Sequence, residues 1–139
     1  MYYIRSEQSF DAAHFLKDYN GKCRNIHGHR WRVLAEAAGE SLCGDPQNRG
    51  MLMDFSDLKS ALKELSEQLD HSLIYEAGSL REKTIEALEE ECFRLVEVKF
   101  QPTAENFAKY FFDELIKKGI PVHRVEGYET PNNCAAYEE

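Results

Sequence analysis

Apolar and polar residues alternate with a two-residue period over residues 3–14. Phe10, Ala12 and His14 therefore share one face of a predicted strand, and Asp11 and Ala13 the other. Residues 17–25 are polar and contain Asn20-Gly21, a turn signal. A second strand begins near His27 and runs through Trp31, Val33 and Ala35 to about residue 38, and so short a connection predicts antiparallel pairing with the first. A loop at 44–50 follows. The spacing then changes to three and four: Asp54 or Ser56 caps a helix whose apolar positions are Phe55, Leu58, Leu62, Leu65 and Leu69. Ser79 with Glu82 reads as a capping box that opens a shorter helix to about residue 93. Alternation returns briefly at 95–100. Pro102-Thr103 opens a third helix, with Glu105 in its first turn, an apolar stripe at Phe107, Phe111 and Leu115, and an end at Lys117-Lys118-Gly119. Residues 122–129 close the pattern as a strand, with a short extension at 135–137. Strands, helices, then strands predict an α+β domain with antiparallel pairing. Such an outline names no function.

The chain has 139 residues, which fits one domain with a real core. No apolar run approaches the roughly 20 residues that cross a membrane. The segment MYYIRSEQSF lacks the basic-then-apolar layout of a signal peptide, so a cytosolic location is expected. A net charge of −8 argues against nucleic acids and anionic membranes as partners. That charge is uneven. Residues 21–34 carry Lys22, Arg24, Arg30 and Arg32 with no acid, whereas 82–91 is dominated by glutamate. A basic patch on an acidic protein suits a small anionic ligand. The cysteines at 23, 43, 92 and 134 form no CxxC pair, and no disulfide framework is expected. Cys43, Cys92 and Cys134 read as buried small residues. Cys23 stands apart because of its neighbours.

His14, His27 and His29 lie within sixteen residues. On a strand, His27 and His29 point to the same face, Gly28 between them lets the backbone bend around an ion, and His14 can face them from the paired strand. Three neutral imidazoles at about 2.0–2.1 Å leave a tetrahedral zinc with one open position, the layout of a catalytic site. An isolated HxH is more often a turn with two exposed histidines. The upstream FDAAH and Cys23, four residues before His27, shift the balance toward metal. Cys23 is compatible with two roles, a fourth ligand that closes the site or a free thiolate favoured by the cation, Lys22 and Arg24. Asp70-His71 follows the first helix; a carboxylate-oriented histidine transfers protons, but a histidine near a helix C-terminus is also explained by the dipole, and on these residues alone that second reading is preferred. Glu129 ends a strand, where a carboxylate can hold a guanidine-like edge through two parallel hydrogen bonds or be merely solvated. Glu105 needs no explanation beyond its helix turn.

The segments FDAAH at 10–14, CRNIHGH at 23–29, GMLMDFSDLK at 50–59, LDH at 69–71, PTAEN at 102–106 and ETPNN at 129–133 span nearly the whole chain. In this order they resemble the 6-pyruvoyl-tetrahydropterin synthase family, and within it the 6-carboxytetrahydropterin synthase branch that serves queuosine precursor synthesis. The resemblance implies the tunnelling fold (T-fold), an antiparallel sheet with helices on one face. It also implies trimers whose sheets close into a barrel, stacked as a homohexamer, which would cover open sheet edges. Sites between subunits are implied as well. By position it makes His14, His27 and His29 the zinc ligands, Cys23, Asp70 and His71 the proton-transfer set, and Glu129 the anchor of the pterin ring. The implied substrate is 7,8-dihydroneopterin triphosphate, which loses triphosphate and, in the carboxypterin branch, acetaldehyde. Three residues separate Cys23 from His27, as in that branch, whereas animal-type 6-pyruvoyl enzymes have a longer insertion there. Residues 79–100 read as an acidic helical insertion within one domain spanning 1–139. Three rivals stand beside this reading: the sister 6-pyruvoyl-tetrahydropterin synthase, a non-catalytic zinc-stabilised pterin-binding assembly protein, and a zinc hydrolase. The last lacks a carboxylate at an HExxH-like position to act as base.

Overall fold

Long alternation produces long strands. In a computed structural model covering residues 1–139, β1 (Tyr2–His14) and β2 (His27–Gly39) pair antiparallel along their whole length, from Tyr2 opposite Gly39 to His14 opposite His27. A 3-10 turn, Lys22–Arg24, lies in the connection. The chain continues through α1 (Phe55–Leu69), β3 (Ser72–Glu76), α2 (Glu82–Glu90), β4 (Leu95–Val98), α3 (Ala104–Lys117), β5 (Val122–Thr130) and β6 (Asn133–Glu138). All six strands form one sheet in the order β4-β3-β1-β2-β5-β6.

The sheet is mixed, which corrects the expectation of purely antiparallel pairing. The ladders β1–β2, β2–β5 and β5–β6 are antiparallel, but β3 runs parallel to both β1 and β4. The connections explain this: α1 precedes β3 and α2 separates β3 from β4, and helical crossovers return the chain in the same direction. No element is predicted over 72–76, because Ser72, Ile74 and Tyr75 are all buried and the strand shows no alternation.

Apolar residues of one sheet face meet α1 and α3 in a single core cluster. Phe10, Trp31, Val33, Ala35 and Val125 come from the sheet, Leu58, Leu62, Leu65 and Leu69 from α1, and Phe107, Phe111 and Leu115 from α3. Trp31 lies 4.8 Å, centroid to centroid, from Phe107, and Phe10 lies 6.0 Å from Phe111. Gly127 permits α3 to close on β5, since a Cβ there would lie 3.1 Å from the carbonyl oxygen of Ala104. No helix is long and apolar enough to cross a membrane.

Of the two predicted caps for α1, Asp54 forms it, accepting from the amide of Ser56, and Thr103, at the predicted start of α3, accepts from the amide of Asn106. Ser79 does not cap α2: its amide closes a turn onto the carbonyl of Glu76, and the helix starts after Arg81, which makes no side-chain cap bond. Phe55, the first residue of α1, is 61% exposed rather than part of the stripe. All four cysteines are free, but Cys92 and Cys134 are exposed and Cys43 is half-buried, against the expectation of burial. Cys92 sits in a left-handed turn after α2, and Cys134 lies on the edge strand β6 at a position that alternates with the core-packed Tyr137 and so points to solvent.

Leu62→Ala leaves a cavity in the centre of the core and should destabilise the chain by about 2–5 kcal/mol in urea unfolding. Phe55→Ala should change stability by no more than about 0.5 kcal/mol. Equal losses would contradict this placement of α1.

Candidate active site

Register decides where the histidines go. His14 and His27 are direct partners at the end of the β1–β2 ladder, and His29 lies opposite Ala12 on the same sheet face as Trp31. Ring centroids are 4.5 Å apart for His14–His27, 4.9 Å for His27–His29 and 5.2 Å for His14–His29. Trp31 packs edge-on beneath His14 and His29, at 5.0 and 5.6 Å, and so joins the core to the site.

Backbone carbonyls orient two of the rings. Nδ1 of His14 lies 2.6 Å from the carbonyl oxygen of Pro102, and Nδ1 of His27 lies 2.7 Å from that of Asn25. A carbonyl only accepts, so both Nδ1 atoms donate and the neutral rings leave Nε2 bare. Those two Nε2 atoms face each other at 3.1 Å. His29 Nε2 is buried with no hydrogen-bond partner. Burial, together with the neighbouring histidines, holds His14 and His29 below the ordinary imidazole value, so protonation is disfavoured where a cation is wanted.

Glu129 completes the group. Its Oε1 lies 3.3 Å from His14 Nε2 and 3.5 Å from His29 Nε2, and ligand-capable atoms of all four residues lie within 4.8 Å of one another. Tetrahedral bonds of about 2.0–2.1 Å would separate ligand atoms by about 3.3–3.4 Å, close to the 3.1 Å between His14 and His27 and the 3.3 and 3.5 Å from Glu129 to His14 and His29. Three bare or orphaned imidazole nitrogens and a carboxylate are a donor set that fits zinc. Nothing local in the sequence places Glu129 here. Its approach depends on the β2–β5 register, in which Arg32 opposes Tyr128. Pro102, whose carbonyl sets the tautomer of His14, is likewise a contributor that residue spacing does not reveal.

Asp70 and His71 form a second group with Asp11. Asp70 caps the end of α1; its Oδ1 accepts from the amide of Asp11 at 2.8 Å and its Oδ2 lies 2.8 Å from His71 Nδ1. The Asp11 amide first, and then His71, keep Asp70 below the usual carboxylate range. An ionised Asp70 makes His71 Nδ1 the donor, which leaves Nε2 to exchange a proton. His71 adopts φ +52, a left-handed conformation costly for a residue with a Cβ, and its amide donates to the carbonyl of Asp11 at 2.6 Å. Cys23 belongs to neither group. It is half-buried in the 3-10 turn, and its carbonyl accepts from the amide of Leu16.

Two clefts share Gly28, His29 and Arg30. One, of about 680 Å³, is also lined by His71 and Arg94; the other, of about 450 Å³, by Glu129, Tyr128 and Arg32. Half of the basic patch is neutralised across the β1–β2 ladder, Arg30 by Asp11 and Arg32 by Glu7, each at 2.9 Å. Arg32 also covers the ring of Tyr128 at 3.9 Å.

A sequence model described as 6-pyruvoyl tetrahydropterin synthase matches residues 3–139. The chain is 34% identical to a 6-carboxy-5,6,7,8-tetrahydropterin synthase of Haemophilus influenzae, with all of both chains covered. It is also 34% identical to the protein of that name from Synechocystis, over 99% of this chain and 93% of the relative. The structure of the Caenorhabditis elegans 6-pyruvoyl tetrahydropterin synthase aligns with a TM-score of 0.69 at 25% identity, covering 99% of this chain and 95% of that one.

The lowered His14 and His29 values fix a sign for stability. The unfolded chain binds protons first as pH falls through 6.5, so metal-free protein should lose stability below about that pH until the folded histidines titrate. Thermal unfolding between about pH 5 and pH 8 reads this directly. Zinc added at neutral pH should raise Tm in the wild type and not in His29→Ala. A Tm indifferent to zinc would contradict the metal reading.

Proposed function

Because the chain belongs to the 6-pyruvoyl tetrahydropterin synthase family, we propose that it is a zinc-dependent 6-carboxy-5,6,7,8-tetrahydropterin synthase. In this reading it converts 7,8-dihydroneopterin triphosphate to 6-carboxytetrahydropterin, releasing acetaldehyde and triphosphate, and so supplies queuosine and other 7-deazaguanine precursors. The observation that carries the reading is the convergence of His14, His27 and His29 on one point, with Glu129 beside them and His71 lining a cleft shared with His29.

His14, His27 and His29 would hold the zinc, and bound zinc acidifies the substrate's side-chain hydroxyls as a Lewis acid. Glu129 takes the guanidine-like edge of the pterin through two parallel hydrogen bonds and leaves the imidazoles to do so. Ionised Asp70 fixes the tautomer of His71, whose Nε2 gives and takes protons on the side chain of the substrate. Cys23 acts as the partner acid–base group. It is absent from the metal group of the folded chain, which supports a proton-transfer role over a ligand role. The edge strands β4 and β6, with exposed Tyr2, Tyr3 and Phe93, suit assembly of a homohexamer, a dimer of trimers in which Cys23 and His71 need not act within one chain. We place the enzyme in the cytoplasm.

Incubation of the zinc-loaded protein with 7,8-dihydroneopterin triphosphate should yield 6-carboxytetrahydropterin and acetaldehyde, identified by mass spectrometry. A stable 6-pyruvoyl product would move the protein to the sister activity. No turnover of the triphosphate would reject both. Cys23→Ala should abolish turnover while retaining a full equivalent of zinc by elemental analysis; loss of zinc would make Cys23 a ligand instead.

A further inference from the structure

We propose that Arg94 is a positioning residue for the Asp70–His71 pair, gripping the end of α1 so that the corner carrying both side chains is fixed. The inference rests on the reading above that this pair moves protons. The last carbonyls of a helix need partners from outside it. α1 supplies none of its own: its last turn holds no basic residue, and its cap is Asp70 rather than glycine. Arg94, just before β4, fills the gap. Its Nη1 donates to the carbonyl of Asp70 at 2.6 Å, and its Nη2 to those of Gln68 at 2.9 Å and Glu67 at 3.2 Å. The carbonyl of Arg94 accepts from the amide of Leu73 at 3.0 Å, so one residue holds the chain on both sides of His71.

Asp11 fastens the same corner from the β1 side, through its amide to Asp70 and its carbonyl from His71. Between these two clamps His71 is kept at φ +52, a conformation that persists only where the surroundings over-determine it. A planar guanidinium can bridge three carbonyls, whereas a lysine ammonium offers a single point charge. The three hydrogen bonds of the Arg94 guanidinium all go to backbone carbonyls, and its charge also suits the negative end of the helix. It lines the cleft that His71 and His29 share. Removing its fork loosens the corner but deletes neither the carboxylate nor the imidazole, so turnover should suffer more than binding.

The test uses the full-length, zinc-loaded protein with R94Q and R94K. In R94Q, exchange of the His71 backbone amide should accelerate at least about tenfold while amides in the middle of α1 stay unchanged. With the pterin triphosphate, kcat should fall about tenfold or more, KM should stay within about twofold, and the zinc content should be unaltered. R94K should recover only part of kcat. H71A and the double variant H71A/R94Q should share one residual kcat, because the arginine acts only through His71. Unchanged amide exchange in both R94Q and R94K overturns the proposal, as does an R94Q loss that persists undiminished in the H71A background. If the wild type turns over no pterin triphosphate, the assigned reaction fails, and with it the catalytic part of this proposal; amide exchange then still decides whether Arg94 fixes the corner.

Discussion

The thirteen-residue antiparallel ladder between β1 and β2 governs everything else in this molecule. Side chains alternate along it, so a slip of one residue would exchange the two faces. In the observed register Phe10, Ala12, Trp31 and Val33 face the helices, and at the same end His14, His27 and His29 continue that face beyond the apolar core. The candidate metal group thus lies at the end of the sheet face that the helices cover. Burial of Trp31 at the boundary is a strong restraint on the register, and hence on the spacing of the imidazoles.

Both chemical groups are tied to this ladder. His14 extends it, and Asp11, three residues earlier, binds Asp70 and His71 through its own amide and carbonyl. The parallel pairing of β3 with β1, at Ala12 and Ala13, begins immediately after that corner. Glu129 arrives from the other side, on β5, by pairing with β2. A short stretch of backbone at one end of the sheet therefore collects residues from positions 14 to 129. In this tunnelling fold, strand pairing brings His14, His27, His29 and Glu129 to one end of the sheet, and the end of α1 delivers Asp70 and His71 beside them.

Much of this was legible in the sequence, for physical reasons. The half-buried strands β1 and β2 alternate cleanly, the helices α1 and α3 carry three-and-four spacing with side-chain caps, and HGH on a strand puts two imidazoles on one face. What was not legible depends on long-range pairing or on coverage of both faces. β3 shows no alternation because both of its sides are covered, and the parallel β3–β4 pair follows from helical crossovers, not from any local signal. Ser79 and Glu82 have the letters of a capping box, but the turn onto Glu76 takes up Ser79 and the helix starts at Glu82, after Arg81. Glu129 reads as a strand end until β5 pairs with β2. Arg94 carries no local signal, since its three carbonyl partners lie 24 to 27 residues away.

The family reading and the geometry meet at the donor set that this ladder brings together. X-ray absorption at the zinc edge of the loaded, substrate-free protein tests it most directly. The account predicts nitrogen and oxygen neighbours at about 2.0–2.1 Å with the outer-shell pattern of three imidazoles. A sulfur neighbour at about 2.3 Å, which only a thiolate such as that of Cys23 would supply, or fewer than three imidazoles, would contradict it.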